Sequence, residues 1–183
     1  ELSRNDLTLG RFGATWTIAD GLSLRGTYGG MRQERVQSDF GADTDIYRGD
    51  RRFGDVTLTW QRGDAFSVVA GASDERDRVN IAEGFGFPPP SSFVRTHEEH
   101  TSGFVTAQST LDALTLTGAA RIDDYDGFGT HSTWRAGASY ALSGNARIYA
   151  AYGTSFRAPT LYERFVSFGN PDLDPEEGKS WEA

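Results

Sequence analysis

Two stretches of the sequence concentrate side chains that could bind a ligand. Residues 36–50 are polar and acidic, and clustered carboxylates suit calcium, which takes about six to eight oxygen ligands. The candidate metal ligands there are Asp39, Asp43, Asp45 and Asp50. Residues 160–175 are rich in aromatic rings, which could contact a bulky ligand where they are exposed. The candidate ligand-binding residues there are Tyr162, Arg164, Phe165 and Phe168.

Each stretch also has a purely structural interpretation. The aspartates could simply keep a surface loop solvated. The aromatic rings could pack their loop onto the neighbouring strands. Pro159, Pro171 and Pro175 fix backbone dihedral angles, so we assign them to the shape of the second stretch and not to ligand contact.

The three histidines do not predict a catalytic or metal site. His97 and His100 fall on opposite faces of a strand, because the side-chain period of a strand is two. His131 has no nucleophile motif around it, and the neighbouring Asp123 and Asp124 side chains point apart. We expect all these residues to lie at the surface. We predict no catalytic residues, and hence no enzyme.

The composition excludes several classes of protein. The 183 residues carry a net charge of −8, which argues against a nucleic-acid partner. The absence of cysteine excludes disulfides and thiolate metal sites. The mean hydropathy is −0.51, and no apolar run is long enough for a membrane helix. A transmembrane β-barrel remains compatible with this composition, because only alternate residues of its strands face lipid.

Apolar and polar residues alternate with a period of two along most of the chain, which predicts β-strands. In the first hairpin Phe12, Ala14 and Trp16 alternate with polar residues, and Asp20-Gly21 marks the turn. The pattern predicts roughly eight strands and the start of a ninth, each about 9–14 residues long. Short turns alternate with longer connections, and we predict long loops over residues 36–50 and 80–95. Outer-membrane barrels show this asymmetry.

The two faces of the predicted strands differ in charge. Five basic residues fall on the polar face: Arg11, Arg25, Arg121, Arg135 and Arg147. One arginine in mid-bilayer would cost about 2–4 kcal/mol, so the polar face should line a lumen. Aromatic residues near strand ends on the apolar face would form interfacial girdles: Trp16, Trp60, Trp134, Tyr140 and Tyr152. A soluble β-sandwich also alternates and is the alternative fold.

Three motifs near the end of the chain point to a known family. They are the Gly-Thr-Ser-Phe-Arg-Ala-Pro segment Gly153–Pro159, the loop segment Gly169–Glu176, and the strand opening Lys179–Glu182. Together they resemble the TonB-dependent outer-membrane transporters of Gram-negative bacteria. From about residue 114 to 182 the chain is similar to the cobalamin (vitamin B12) branch of that family. The catecholate-siderophore receptors share the Ala-Pro and Asn-Pro elements.

The resemblance implies a fold class. The chain would be all-β, an antiparallel up-and-down transmembrane β-barrel segment of roughly eight to nine strands from a barrel of about twenty-two. Residues 1–183 would then be part of one barrel domain. The plug domain, which carries the TonB contact, and the remaining strands would lie outside it. An unpaired strand edge at each end would make an isolated slice unstable as a monomer in water.

The resemblance also implies a function and partners. We expect an active transporter in the outer membrane that takes up cobalamin or a related corrinoid, with a ferric-siderophore receptor as the alternative. The partners would be TonB, outer-membrane lipid and lipopolysaccharide. Cobalamin transporters bind calcium through aspartates in two neighbouring loops; residues 36–50 match the first, whereas residues 80–95 offer only Glu83. From other classes, a barrel lipase or protease and a structural adhesion barrel stay open.

Overall fold

The computed structural model describes residues 2–39, 41–84, 94–166 and 168–183. They form one antiparallel sheet in which each strand is hydrogen-bonded to its neighbours in sequence. The predicted all-β, up-and-down architecture is confirmed. The elements of these residues are β1 (Leu2–Ala19), β2 (Leu22–Asp39), β3 (Ala42–Arg62), β4 (Phe66–Glu83), β5 (Val94–Leu111), β6 (Leu114–Tyr125), β7 (Gly129–Ser143), β8 (Ala146–Arg157), α1 (Leu161–Phe165) and β9 (Glu176–Glu182).

Tight turns join the strands at one end of the sheet, as predicted. They comprise residues 20–21, 63–65, 112–113 and 144–145. Gly21 has a φ of +70°, and a Cβ there would collide with the carbonyl oxygen of Gln61, so the turn requires glycine. The opposite end, which we call the loop end, carries the connection of residues 158–175.

The strand register assigns each side chain to one of two faces, because directly paired residues lie on the same face. Trp16 belongs to a row on the face that we call the outer face. It continues through Leu24, Leu58, Ala70, Val105, Ala120 and Trp134. The side chain of Trp16 is 65% exposed and that of Trp134 is 48% exposed. An apolar face this exposed fits contact with lipid.

The opposite, inner face carries the basic residues. Arg25 pairs with Thr15 and with Thr57, and its row reaches Arg121 through Gly71 and Phe104. The register places the other three predicted arginines, Arg11, Arg135 and Arg147, on this face too. The sorting of arginines away from the apolar face is therefore confirmed.

The prediction of a long loop over residues 36–50 is wrong. β2 continues to Asp39 and β3 begins at Ala42, so two residues connect them. The alternation stops because these strands extend beyond the apolar band, where both faces carry polar side chains while the backbone hydrogen bonds continue. For the same reason β1 to β5 are 18–21 residues long, which exceeds the predicted length.

The second predicted loop, residues 80–95, is also shorter than expected. β4 runs to Glu83 and β5 begins at Val94. Residues 85–93, with the three prolines, lie outside the described residues. No helix in the described ranges is long and apolar enough to cross a membrane.

Candidate ligand-binding site

The connection between β8 and β9 folds back over the inner face at the loop end. Its helix α1 buries Leu161, which packs against Val79 and Ile81 on the inner face of β4. Tyr47, Phe165 and Val166 pack around this cluster. A cavity of about 410 Å³ lies between the connection and the inner wall. The inward fold therefore turns part of the wall into a ligand-sized space that is open on one side.

The start of α1 is fixed by a capping box. The Thr160 hydroxyl accepts a hydrogen bond from the Glu163 backbone N–H at 3.2 Å, and a Glu163 carboxylate oxygen accepts one from the Thr160 backbone N–H at 2.8 Å. These reciprocal bonds satisfy N–H groups that a helix start leaves unpaired. A helix of only five residues is marginal without them.

Arg157 ties both ends of the connection together. Its guanidinium donates to the Glu163 carboxylate at 3.1 and 3.2 Å, and to the Glu176 carboxylate at 2.9 and 3.3 Å. Glu163 belongs to α1, whereas Glu176 opens β9. This arrangement, which we call the Arg157 clasp, links the Arg-Ala-Pro and Pro-Glu motifs of this chain through side-chain contacts. Sequence analysis missed Thr160, Glu163 and Glu176 as site-forming residues, although the Thr-x-x-Glu capping pattern could have indicated the helix start.

The clasp predicts a specific dependence of the loop on pH. The Arg157 guanidinium and the Thr160 donors lower the pKa of Glu163 from 4.5 to about 2. The pKa of Glu163 in the folded protein therefore lies below its ordinary value of 4.5. The contact between Glu163 and Arg157 is fully formed at a pH above 4.5 and is lost as the pH falls through about 2. A fluorophore on a cysteine at Phe168 of the complete protein should show no Glu163-linked change between about pH 7 and pH 5, and a release below about pH 3. In Glu163→Gln the transition near pH 2 should be lost, and only a transition linked to Glu176 should remain. An unchanged transition near pH 2 in this variant would contradict the assignment.

The four predicted ligand-binding residues divide into two pairs. Tyr162 borders the cavity with a half-exposed side chain, and Phe168 is 91% exposed. Phe165 instead packs against the apolar cluster. Arg164 lies 4.6 Å from the Phe128 ring centroid and 4.8 Å from that of Phe165, so its charge stacks on two rings. Its guanidinium also lies 3.7 Å from the Glu98 carboxylate, which joins the connection to the inner wall.

The inner wall beside the cavity is a hydrogen-bonded polar surface. Arg51 donates two bonds to the Asp77 carboxylate, at 2.7 and 2.6 Å. His100 shares a hydrogen bond of 2.7 Å with Asp123, and its ring stacks on Tyr125 at 4.0 Å. The expectation that His100 and Asp123 lie at the surface is wrong, because their side chains are only 16% and 8% exposed. The Tyr125 ring covers His100, and the side chains of His100 and Arg121 contact the Asp123 carboxylate.

His97 and His131 have different surroundings. His97 is exposed on the outer face, as expected. The His131 side chain is 22% exposed and stacks on Phe156 at 3.9 Å, so the expectation of a surface position is wrong for it as well.

The four candidate calcium ligands do not converge in the structure. The Asp43 carboxylate accepts from the Ser38 hydroxyl at 2.8 Å, and that of Asp45 accepts from the Gly84 backbone N–H at 3.1 Å. Asp39 ends β2. Asp50 lies on the outer face between Arg32 and Arg52, at 3.7 and 3.6 Å. Among the described residues, three side chains could reach one metal ion, His97, Glu99 and Asp126, and none of them is a candidate aspartate.

An up-and-down sheet with an apolar, exposed outer face and a polar inner face is the wall of an outer-membrane β-barrel. The model of the family described as "TonB dependent receptor-like, beta-barrel" matches residues 30–183. The chain therefore belongs to the TonB-dependent receptor β-barrel family, whose members lie in the Gram-negative outer membrane.

Solved structures agree with this fold. The chain is similar to the siderophore receptor PirA from Pseudomonas aeruginosa, with a TM-score of 0.67, 17% identity, and coverage of 96% of this chain and 35% of that one. For P. aeruginosa FpvA bound to pyoverdine the TM-score is 0.69 and the identity 18%, with coverage of 96% of this chain and 29% of that one. For the copper transporter OprC the TM-score is 0.59 and the identity 15%, with coverage of 98% of this chain and 42% of that one. The chain thus spans about a third of the length of these proteins, and such identities show the fold alone.

Proposed function

We propose that this chain forms part of the wall and ligand mouth of a TonB-dependent transporter in the outer membrane. The observation that carries this proposal is the connection of residues 158–175, folded inward over a 410 Å³ cavity on a polar inner wall. Loops at the mouth would capture the ligand. TonB would then act through the plug domain, driven by the inner-membrane proton gradient, to release the ligand inward. No reaction is catalysed in this scheme.

The proposed substrate is cobalamin or a related corrinoid. Support comes from the similarity of residues 114–182 to the cobalamin branch. Tyr162 and Phe168 are the ligand contacts that we favour, because their rings are accessible. Arg164 and Phe165 would shape the site, because both are packed beneath the connection.

A ferric siderophore is the second candidate substrate. One of the similar structures, PirA, is named as a siderophore receptor, and another, FpvA, is bound to pyoverdine. The Ala-Pro and Asn-Pro elements of this chain are also shared with catecholate-siderophore receptors. Both candidates are bulky chelates that need a gated route across the outer membrane.

Uptake by cells tests the proposed function directly. Cells that express the complete protein should accumulate radiolabelled cobalamin, and deletion of TonB should abolish accumulation without abolishing surface binding. Ferric catecholates and pyoverdine-type chelates form the second arm. Accumulation of a ferric chelate but not of cobalamin would show that the substrate is a siderophore. Accumulation of neither, with the protein folded in the membrane, would favour the adhesion or enzyme alternatives and contradict transport.

Calcium binding by the Asp39–Asp45 segment is a separate proposal. Asp39, Asp43 and Asp45 lie close together in sequence at the loop end, whereas Asp50 pairs with arginines on the outer face. In calorimetry on the complete protein, Asp45→Asn should weaken calcium binding about ten-fold, because one anionic ligand is lost. Asp50→Asn is the matched control and should leave binding unchanged. No heat at millimolar calcium would remove the proposal.

A further inference from the structure

The inner wall at the loop end carries an excess of negative charge. We call its cross-strand rows the mouth wall, from the row of Arg11, Glu75 and His100 to the row of Asp45 and Glu83. Its charged residues are three arginines and five carboxylates: Arg11, Arg35, Arg51, Asp45, Glu75, Asp77, Glu83 and Glu98. The connection of residues 158–175 adds one arginine and three carboxylates: Arg164, Glu163, Asp172 and Asp174. Carboxylates therefore outnumber arginines by eight to four, and an excess remains even when His100 is protonated.

The arginine of the mouth wall that borders the cavity is already occupied. Arg51 donates two hydrogen bonds to Asp77 and lies 3.4 Å from Glu75. An anionic ligand would have to displace one of these carboxylates to gain a bidentate contact with its guanidinium. Asp50 and Arg78 also border the cavity, but they are cross-strand partners of opposite charge on the outer face and offset each other.

Three carboxylates of the mouth wall border the same cavity: Glu75, Asp77 and Glu98. Asp77 and Glu98 are direct cross-strand partners, and like charges in that position destabilise a sheet. The Oε2 atom of Glu98 is buried and accepts no hydrogen bond from the described residues. Arg164 lies 3.7 Å from it, which is long for a charge-assisted hydrogen bond. A positive group in the cavity would offset this repulsion, whereas an anionic group would increase it.

The shape of the site adds to this effect. A cleft lined mainly by charges of one sign raises the local concentration of ligands of the opposite sign. The cavity of about 410 Å³ between the connection and the mouth wall is such a cleft, and it has room for part of a bulky chelate.

We propose that the cavity selects its chelate by charge, preferring a positively charged chelate to an anionic one, and that Glu98 is the specificity-determining residue. This inference rests on the proposed function, because it concerns the ligand of the same cavity. An ammonium or similar group of the ligand lies beside Glu98 and Asp77, and Tyr162 contacts the body of the chelate. An uncharged corrinoid or hydroxamate chelate binds less tightly, and a ferric catecholate, which is strongly anionic, is disfavoured.

The test uses two series of chelates, and the members of each share one scaffold and differ in charge. Ferrioxamine B carries an ammonium group, its N-acetyl derivative lacks that charge, and its N-succinyl derivative carries a carboxylate in its place. The corrinoid series consists of cyanocobalamin, the monocarboxylate made by hydrolysing one amide, and the amine made by coupling that carboxylate to ethylenediamine. Binding of each chelate to the complete protein in a neutral detergent is measured by equilibrium dialysis.

Within the series that the protein binds, the cation should bind about ten-fold more tightly than the uncharged member, because hydrogen bonds to charged groups are worth at least that factor. The anion should bind more weakly than both. Glu98→Gln keeps the shape of the side chain and should lose most of the preference for the cation. The matched control is Glu99→Gln, which changes the next residue of β5 on the outer face and should keep the full preference.

The outcomes separate this inference from the proposed function. Equal affinities within a series that binds, or tightest binding of its anion, would overturn selection by charge and leave the transport proposal intact. An unchanged preference in Glu98→Gln would overturn the role of Glu98. If the folded protein bound no member of either series, the proposed function would be contradicted, and this inference with it.

Discussion

Replacing Leu58 by arginine is expected to destabilise the folded protein by about 2 kcal/mol. Leu58 lies on β3 in an apolar row of the outer face, between Leu24 and Ala70. An arginine side chain there would have to enter hydrocarbon between the Trp60 girdle and the middle of the apolar band, where no water is available to solvate its charge. The measurement is equilibrium unfolding of the complete protein in lipid vesicles.

The neighbouring position provides the control for this substitution. Thr59 lies on the inner face, in a row with Ser23 and Val69 and without another arginine. Arginine at Thr59 should cost less than about 1 kcal/mol, because the lumen side is polar. Equal destabilisation by Leu58→Arg and Thr59→Arg would contradict the assignment of the two faces.

Replacing Arg157 by alanine is expected to weaken ligand binding on the order of ten-fold or more, because a loop that is not held in place must be ordered by the ligand. The variant loses five charge-assisted hydrogen bonds, to Glu163 and Glu176. Both ends of the connection over the cavity are then released. Equilibrium binding of the transported chelate to the complete protein measures the effect.

Two further variants separate the geometry of the clasp from its charge. Arg157→Lys keeps the charge but lacks the planar fork, so it should recover only part of the affinity. Arg147→Ala removes an arginine from the same strand that has no ion pair within the described residues, and it should bind as the wild type does. Wild-type affinity in Arg157→Ala would contradict the role of the clasp.

The transmembrane part of the fold could be predicted from the sequence. Trp16, Leu24 and Leu58 fall on the outer face as the alternation predicts, and Asp20-Gly21 forms the predicted turn. These predictions succeed because lipid on one side and a polar lumen on the other impose opposite demands on successive residues. The three motifs near the end of the chain indicated to which family the barrel belongs.

The parts of the strands outside the lipid could not be predicted in the same way. Arg48 and Asp50 lie on the outer face, and their charges look like those of a loop. Backbone hydrogen bonds continue the strand there. Because these bonds do not depend on side-chain type, the sequence shows no alternation of apolar and polar residues in this part of the strand. The rows of paired side chains on the outer face can be assigned only once the register is known, because their members come from four strands.

The candidate site was predicted only in part. The aromatic connection was singled out, but its inward fold depends on long-range contacts such as Leu161 with Val79. The same contacts bring Arg164 to Glu98, some 66 positions apart in sequence. Local composition cannot encode such pairings, and for that reason His100 and Asp123 looked like surface residues.

The division of the sheet into a lipid face and a lumen face is tested most directly by spin labels along β3. The chain has no cysteine of its own, so single cysteines can be introduced at each position from 55 to 60. In lipid vesicles, labels at positions 56, 58 and 60 should be accessible to oxygen, which partitions into lipid. Labels at positions 55, 57 and 59 should be accessible instead to a water-soluble nickel chelate. Equal accessibility at successive positions, or the opposite alternation, would contradict the membrane assignment.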